Sequence, residues 1–285
     1  MAEQLGVDEV RRALAEDHAS DDVTTRLLGA ATDGAAVAHL VAEARFVVAG
    51  LPLVACVFLE LDPDSAMTPG VTEGSWTAPG DVIATVTGGA TALLAGERVA
   101  LNFIQRLSGI ATLTRRAVVA VSGTPARITH TRKTTPGLRA LELYAVRIGG
   151  GVDNRASLAD AILWKDNHWA LLAHDGDSLA RALRRAPPGI PVIVEVESDA
   201  QLEQALAAGV RHVLVDNQPP ERLAAWAQRA GPDVTIQASG GITIDNARAY
   251  AEAGATLIAI GAITHSAPAA PIKCEILSEG GNKHY

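Results

Sequence analysis

The sequence predicts an α/β protein: a mixed α/β unit in its first hundred residues, then a barrel of parallel βα units. Three observations carry this. From about residue 126, short β-rich runs recur every twenty to thirty residues, separated by Ala-rich helical stretches. Six such runs occur (126–131, 161–164, 192–195, 212–215, 234–238 and 257–260), and no dinucleotide Gly fingerprint accompanies them. That favours a barrel over a doubly wound sheet. Polar residues cluster where each run ends, as a barrel with its site at the strand C-termini requires.

In chain order, Val7–Glu16 carries a short helical pattern, and residues 37–42 and 82–86 read as strands, the second preceded by the turn Pro79-Gly80-Asp81. Residues 46–59 form an uncharged apolar stretch too short to span a bilayer. With Gly50 and Pro52 inside it, the stretch is expected to be a buried helix or strand. Residues 93–107 are helical in pattern. Leu93, Ala100, Ile104 and Leu107 share one face, while Arg98, Asn102 and Gln105 form a polar stripe. Taken alone, that stripe is a solvated helix face.

Composition narrows the function. With 285 residues, 48% of them hydrophobic, the chain can bury a large core without covalent staples. Its 24 basic and 32 acidic residues give a net charge of −8, which argues against nucleic-acid or anionic-membrane partners. Any bound phosphate must be held by a local cluster. Two cysteines, Cys56 and Cys274, are too few for a disulfide framework or a cysteine metal site. No apolar leader pattern occupies the first twenty residues, so a cytosolic protein is expected. His168 and His174, six apart, do not share a helix face and read as surface residues. Neither a Gly-x-Ser-x-Gly elbow nor a plausible Cys–His nucleophile is present.

The strand ends carry the chemistry. They are Thr131-Arg132-Lys133, Lys165-Asp166-Asn167-His168, Glu195 with Glu197, Asp216-Asn217, Ser239-Gly240-Gly241 and Gly261-Ala262. Ser239-Gly240-Gly241-Ile242, with a helix expected from near Asp245, presents backbone N–H groups and a helix start to an anion. Gly261 gives close access from the next strand. Arg132, Lys133, Arg155 and Lys165 are four cations at the first two strand ends, and clustered cations call for anionic ligands or carboxylates. Glu195 and Asp216 can supply part of that balance and can hold Mg²⁺ or ribose hydroxyls. A ligand with one phosphate, a hydroxylated middle and further negative groups suits phosphoribosyl pyrophosphate with an acidic co-substrate. A solvated charged rim is the plainer alternative.

Longer motifs then become recognisable. Glu97-Arg98, Ser108-Gly109-Ile110-Ala111-Thr112, Thr131-Arg132-Lys133-Thr134-Thr135-Pro136-Gly137-Leu138-Arg139 and Tyr144-Ala145-Val146-Arg147 resemble quinolinate phosphoribosyltransferases. So do Gly149-Gly150-Gly151, Lys165-Asp166-Asn167-His168, Ser239-Gly240-Gly241-Ile242 and the run from Gly261 to Pro268. The likeness covers about residues 16 to 272.

The resemblance implies an N-terminal α/β sandwich (1–108), an open α/β barrel (109–266) and a terminal segment (267–285) returning to the sandwich. It implies at least a homodimer with shared active sites, in which Arg98 reaches the neighbour's site. Thr131, Arg132, Asn154, Arg155 and Lys165 then fall to a small heteroaromatic acid, and Lys133 lies between that acid and the phosphoribosyl donor. Glu195 and Asp216 handle ribose and Mg²⁺. Ser239, Gly240 and Gly241, with Gly261, Ala262 and Ile263, cradle the 5-phosphate. The implied reaction joins quinolinate to phosphoribosyl pyrophosphate with loss of pyrophosphate and CO₂.

The chain also departs from the family pattern. Asn154 stands where a histidine is usual, His130 where Asp is, and Ile193 and Gln237 where Glu is. Leu143 replaces a common lysine, and Trp164 and Trp169 replace aliphatic residues; Trp164, next to an inward lysine, is expected to face the helix layer. A paralogue acting on another heteroaromatic acid is therefore the second expectation. A non-catalytic binding relative is the third, disfavoured because cations and cradle are both intact.

Overall fold

A computed structural model describes residues 6–175 and 178–278, without the side chains of residues 173–175 and 278. The surface assignment expected for His174 lies outside these. The chain divides into two compact units.

The first unit comprises the described residues of 1–113, 135–149 and 266–285. Its sheet is antiparallel, in the order β10-β1-β3-β2, from β1 (Ala35–Ala42), β2 (Ala66–Pro69), β3 (Val82–Gly89) and β10 (Ile272–Ser278). Strand β1 shows the half-buried alternation of a sheet with one covered face, Ala36, Ala38 and Leu40 being buried. Helices α1 (Val7–Glu16), α2 (Val23–Leu28), α3 (Leu51–Leu61) and α4 (Ala90–Ala120) precede α5 (Arg139–Ile148), which belongs to this unit although it follows the first barrel strand. The apolar stretch 46–59 resolves into both expected forms, a bridge at Val47 and then α3. Gly50 starts α3 at φ +111°, and Glu73 Oε1 accepts from the Gly50 and Leu51 amides at 2.7 Å each. A carboxylate on the first N–H groups of a helix is the favourable arrangement.

Several family-like residues serve this fold directly. Ser108 Oγ accepts from the Ala49 amide at 3.0 Å, and Thr112 Oγ1 from the Val47 amide at 2.8 Å. A Cβ on Gly109 would lie 1.9 Å from the Pro268 carbonyl oxygen, so only glycine lets that backbone cross α4. Gln105 of the polar stripe is no solvated residue: its side-chain amide donates to the Ile272 carbonyl at 2.7 Å and its backbone carbonyl accepts from the Ala270 amide at 2.9 Å. Glu142, fully buried, accepts from Arg106 Nη2 at 2.8 Å and from the Thr135 hydroxyl at 2.7 Å.

The second unit, residues 114–134 and 150–265, is a six-stranded parallel sheet. Its strands are β4 (Arg127–Thr129), β5 (Ile162–Trp164), β6 (Val192–Val196), β7 (His212–Asp216), β8 (Thr235–Ser239) and β9 (Leu257–Ala259). The order β4-β9-β8-β7-β6-β5 leaves β4 and β5 as unpaired ends, an open barrel. Helices α6 (Asp166–Asp175), α7 (Leu179–Leu183), α8 (Asp199–Ala207), α9 (Pro220–Ala230), α10 (Ile244–Glu252) and α11 (Ala262–His265) fill the connections. Two begin with reciprocal caps, Ser198 with Gln201 and Thr243 with Asn246, and α10 starts at Ile244, beside the expected Asp245. No described helix is long and apolar enough to cross a membrane.

Candidate active site

Period-two alternation sets the site. Ala161, Ile193 and Leu214 form a buried apolar cluster inside the barrel, with Leu163 packed against it. One step further along each strand, the same inward face presents Lys165, Glu195, Asp216 and Ser239. These line a cavity of about 440 Å³ together with Thr131, Arg132, Lys133, Asn154, Arg155, Asp166, Leu163, Ile193, Leu214, Gln237 and Ala259. Four cations and three carboxylates thus meet over an apolar floor.

The expected substrate residues Thr131, Arg132, Asn154, Arg155 and Lys165 are all brought together here, as are Lys133, Glu195, Asp216 and Ser239. Arg98 is not among the lining residues. It sits on α4 in the first unit, beside Asp17, His18, Asp21 and Asp22. Sequence reasoning named Asp166 within a strand-end motif but gave it no role, passed over Leu214, and noted Ile193 and Gln237 only as departures. Counting back two residues from Glu195, Asp216 and Ser239 would have found Ile193, Leu214 and Gln237.

The electrostatics are those of a site built for an anion. Burial, and then the nearby Arg132 charge, pull the Arg155 guanidinium below its usual range. Arg132 Nε is buried and makes no hydrogen bond to another described residue. A buried unpaired guanidinium N–H is costly, so a ligand acceptor is its natural partner. Burial, and secondarily the Asp216 charge, push the Glu195 carboxyl up to about 6. Asn217 Nδ2 donates to Asp216 Oδ2 at 2.6 Å and so fixes that carboxylate.

The glycine turn lies against the same pair. Gly240 has φ +84° and Gly241 φ +59°. A Cβ on Gly240 would approach Asn217 Oδ1 to 2.2 Å and the Asn217 amide nitrogen to 2.7 Å, whereas one on Gly241 meets nothing within 4 Å. On the next strand end, a Cβ on Gly261 would lie 3.3 Å from Lys133 Cδ. The Thr264 hydroxyl donates to the Lys133 carbonyl at 2.8 Å, so the Lys133 loop is tied to the Gly261 turn. Ala262 and Ile263 open α11; the Ile263 side chain is buried, which leaves only its backbone for a ligand.

The departures sort by place. Asn154, Ile193 and Gln237 line the cavity. His130 is fully buried, and its Nε2 accepts from the Asn154 amide at 3.0 Å. Asn154 Oδ1 in turn accepts from the Arg155 amide at 2.8 Å, so its acceptor already has a partner in the chain. Trp164 lies on the opposite strand face from Leu163 and Lys165, and packs against the rings of His168 and Trp169 on α6, as expected. His168 Nδ1 accepts from the Lys165 amide at 3.1 Å, a local turn role. Leu143 is in the first unit, on α5.

Known proteins are similar to this chain in sequence and fold. Residues 22–108 match the N-terminal domain, and residues 110–275 the C-terminal domain, of quinolinate phosphoribosyl transferase. A nicotinate-nucleotide pyrophosphorylase (carboxylating) of Mycobacterium leprae is 40% identical over 266 residues, 91% of this chain and 93% of that protein. A probable enzyme of the same name from Bacillus subtilis is 38% identical over 261 residues, 92% of this chain and 90% of its own. The crystal structure of NadC from Streptococcus pyogenes superimposes with a TM-score of 0.88 at 35% identity, covering 95% of each chain.

Proposed function

The chain belongs to the quinolinate phosphoribosyl transferase family, and on that premise we propose that it converts quinolinate and phosphoribosyl pyrophosphate to nicotinate mononucleotide, pyrophosphate and CO₂. The observation that carries this reading is the cation cluster. Arg132, Lys133, Arg155 and Lys165 line one cavity, with the Arg132 Nε buried and unbonded among the described residues. A diacid satisfies both charge and hydrogen-bond demand there.

In the reaction, Arg132, Arg155 and Lys165 hold the two carboxylates and aim the ring nitrogen at the anomeric carbon. The N–C bond forms as the C–O bond to pyrophosphate breaks, its electron pair leaving with the oxygen. Lys133, lining the same cavity, is proposed to offset charge that builds on the leaving group. The ring carboxylate next to the pyridinium nitrogen then departs as CO₂, its electron pair drawn toward that nitrogen and the carbon taking up a proton. Ser239, Gly240 and Gly241, facing Gly261, Ala262 and Ile263, offer backbone donors to the 5-phosphate.

We assign Mg²⁺ to Glu195 and Asp216. Among the described residues no cluster of three or more His, Cys, Asp or Glu could hold a metal by itself. Two carboxylates plus donor oxygens suit Mg²⁺, which keeps waters and binds with substrate phosphates. The Asp216 charge that helps lift the Glu195 carboxyl is also what a cation there relieves. When bound, the ion offsets charge on the departing pyrophosphate.

The assembly is proposed to be at least a dimer working in the cytosol, with Arg98 serving the other protomer's cavity. A second reading, another heteroaromatic acid, has one observation in its favour: Asn154, Ile193 and Gln237, all departures, line the cavity. The test incubates pure protein with phosphoribosyl pyrophosphate, Mg²⁺ and quinolinate. Equal release of pyrophosphate and CO₂ is expected; pyrophosphate without CO₂, or release only with other acids, moves the assignment to the second reading.

A further inference from the structure

Residues 152–154 run in parallel along the outer edge of β4, with a bridge between Thr129 and Val152. The Val152 amide donates to the Ile128 carbonyl at 2.8 Å, and the Thr129 hydroxyl donates to the Val152 carbonyl at 2.8 Å. Continued regularly, this ladder would bring the Asn154 amide to the His130 carbonyl. The amide goes instead to His130 Nε2, at 3.0 Å, and only Asn154 Nδ2 reaches that carbonyl, at 3.5 Å. The fully buried imidazole thus takes the ladder position of a backbone carbonyl. A backbone N–H can only donate, so Nε2 carries no proton and the ring is uncharged. Asp153 Oδ1, 3.8 Å from the same nitrogen, is beyond hydrogen-bond reach.

Arg155 is the residue that this contact places. It lines the cavity, its amide donates to Asn154 Oδ1 at 2.8 Å, and its Nη1 donates to the Ala161 carbonyl at 3.3 Å. Arg132 lines the same cavity, and its charge disfavours a second guanidinium beside it. A segment free to shift would relieve that repulsion by carrying Arg155 away. We propose that His130 is a positioning residue for the reaction, its Nε2 holding the Asn154 backbone so that Arg155 meets a carboxylate of the heteroaromatic acid. The proposal rests on the reading of this cavity as the acid's site. Asp, the usual residue here in the family pattern, also offers an acceptor, so the position requires an acceptor rather than a ring. A purely structural His130 would need only to fill its space.

The test compares His130→Gln with His130→Asn in the full-length protein, by calorimetric titration with quinolinate and separately with Mg²⁺–phosphoribosyl pyrophosphate. A glutamine carbonyl oxygen stands as many bonds from Cα as Nε2 does, whereas an asparagine carbonyl oxygen stands only as far as Nδ1. Quinolinate affinity in His130→Gln should therefore stay within about twofold of the wild type. In His130→Asn it should fall by about threefold to tenfold, the range of one neutral hydrogen bond. His130→Phe, which fills the space without an acceptor, should match His130→Asn. Donor affinity should hold in all three. Nitrogen-15 NMR of the histidine-labelled wild type at neutral pH adds a measurement that needs no folded variant: the His130 ring should carry its proton on Nδ1. Equal quinolinate affinities in the glutamine and asparagine variants, equal losses on acid and donor, or a proton on Nε2 overturns the proposal. Acid binding with the expected pattern but without pyrophosphate release by the wild type sinks the proposed reaction alone. No quinolinate binding by the wild type sinks both.

Discussion

Gly240→Ala isolates the geometric demand of the glycine turn. The native φ of +84° is left-handed, where alanine costs about 1–2 kcal/mol. Gly209, just past the end of α8, has a similar φ of +79° and a Cβ there would meet nothing within 4 Å. Gly209→Ala therefore measures the cost of the positive φ without a clash. At Gly240 the new methyl also runs into Asn217 Oδ1 at 2.2 Å, and into its backbone nitrogen at 2.7 Å. Asn217 must move, at the expense of its amide bond to the Ser239 carbonyl (3.0 Å) and its side-chain bond to Asp216 (2.6 Å). Losing the backbone bond should add about 0.5–1.5 kcal/mol to the destabilisation. Losing the bond to the carboxylate, worth about 1.5–3 kcal/mol, should lower kcat/KM for phosphoribosyl pyrophosphate by about tenfold to a hundredfold. Urea unfolding and steady-state kinetics on both variants supply the comparison. Equal unfolding midpoints, with an unaltered KM for the donor in Gly240→Ala, would refute the reasoning.

Two more expectations concern charge and assembly. Because burial and the Asp216 charge raise the Glu195 carboxyl from an ordinary 4.5 to about 6, the folded state holds this proton more tightly than the unfolded one. The resulting stabilisation is present below pH 4.5 and lost as pH rises through about 6. Glu195→Gln should therefore gain in Tm over the wild type between those values, and a difference that stays flat with pH rules the assignment out. Arg98→Ala and Lys133→Ala should each be nearly inactive. If Arg98 serves the partner's cavity, mixing the two after subunit exchange yields some dimers with one intact site, and activity returns; proven exchange without recovery excludes a shared site.

How much was legible in the sequence depended on whether a feature was local. Lys165, Glu195, Asp216 and Ser239 could be placed on one inward face because strand alternation is a property of each run by itself. The contact between His212 Nε2 and Gln237 Oε1, at 2.8 Å, could not, since it depends on the register between two strands. Gln105 looked like solvated helix surface because its partners, Ala270 and Ile272, lie some 165 residues away in the chain. Strand β2, four residues with a terminal proline, gave no alternation to read. Ser108 and Thr112 belonged to a family-like motif, and only the structure separated their backbone-holding role from chemistry.

The pairing of β10 with β1 bears on how the protein is made. Ala42 lies opposite Ile272, so about 230 residues must leave the ribosome between the two halves of one ladder. Until then the β1 edge has its hydrogen-bonding groups unpaired, on a strand rich in Val, Ala and Leu. The barrel strands all lie between residues 127 and 259 and have no such wait. The first unit, begun earliest, is thus completed last, and a chain stalled before residue 272 should expose a template for unwanted strand pairing rather than a finished domain.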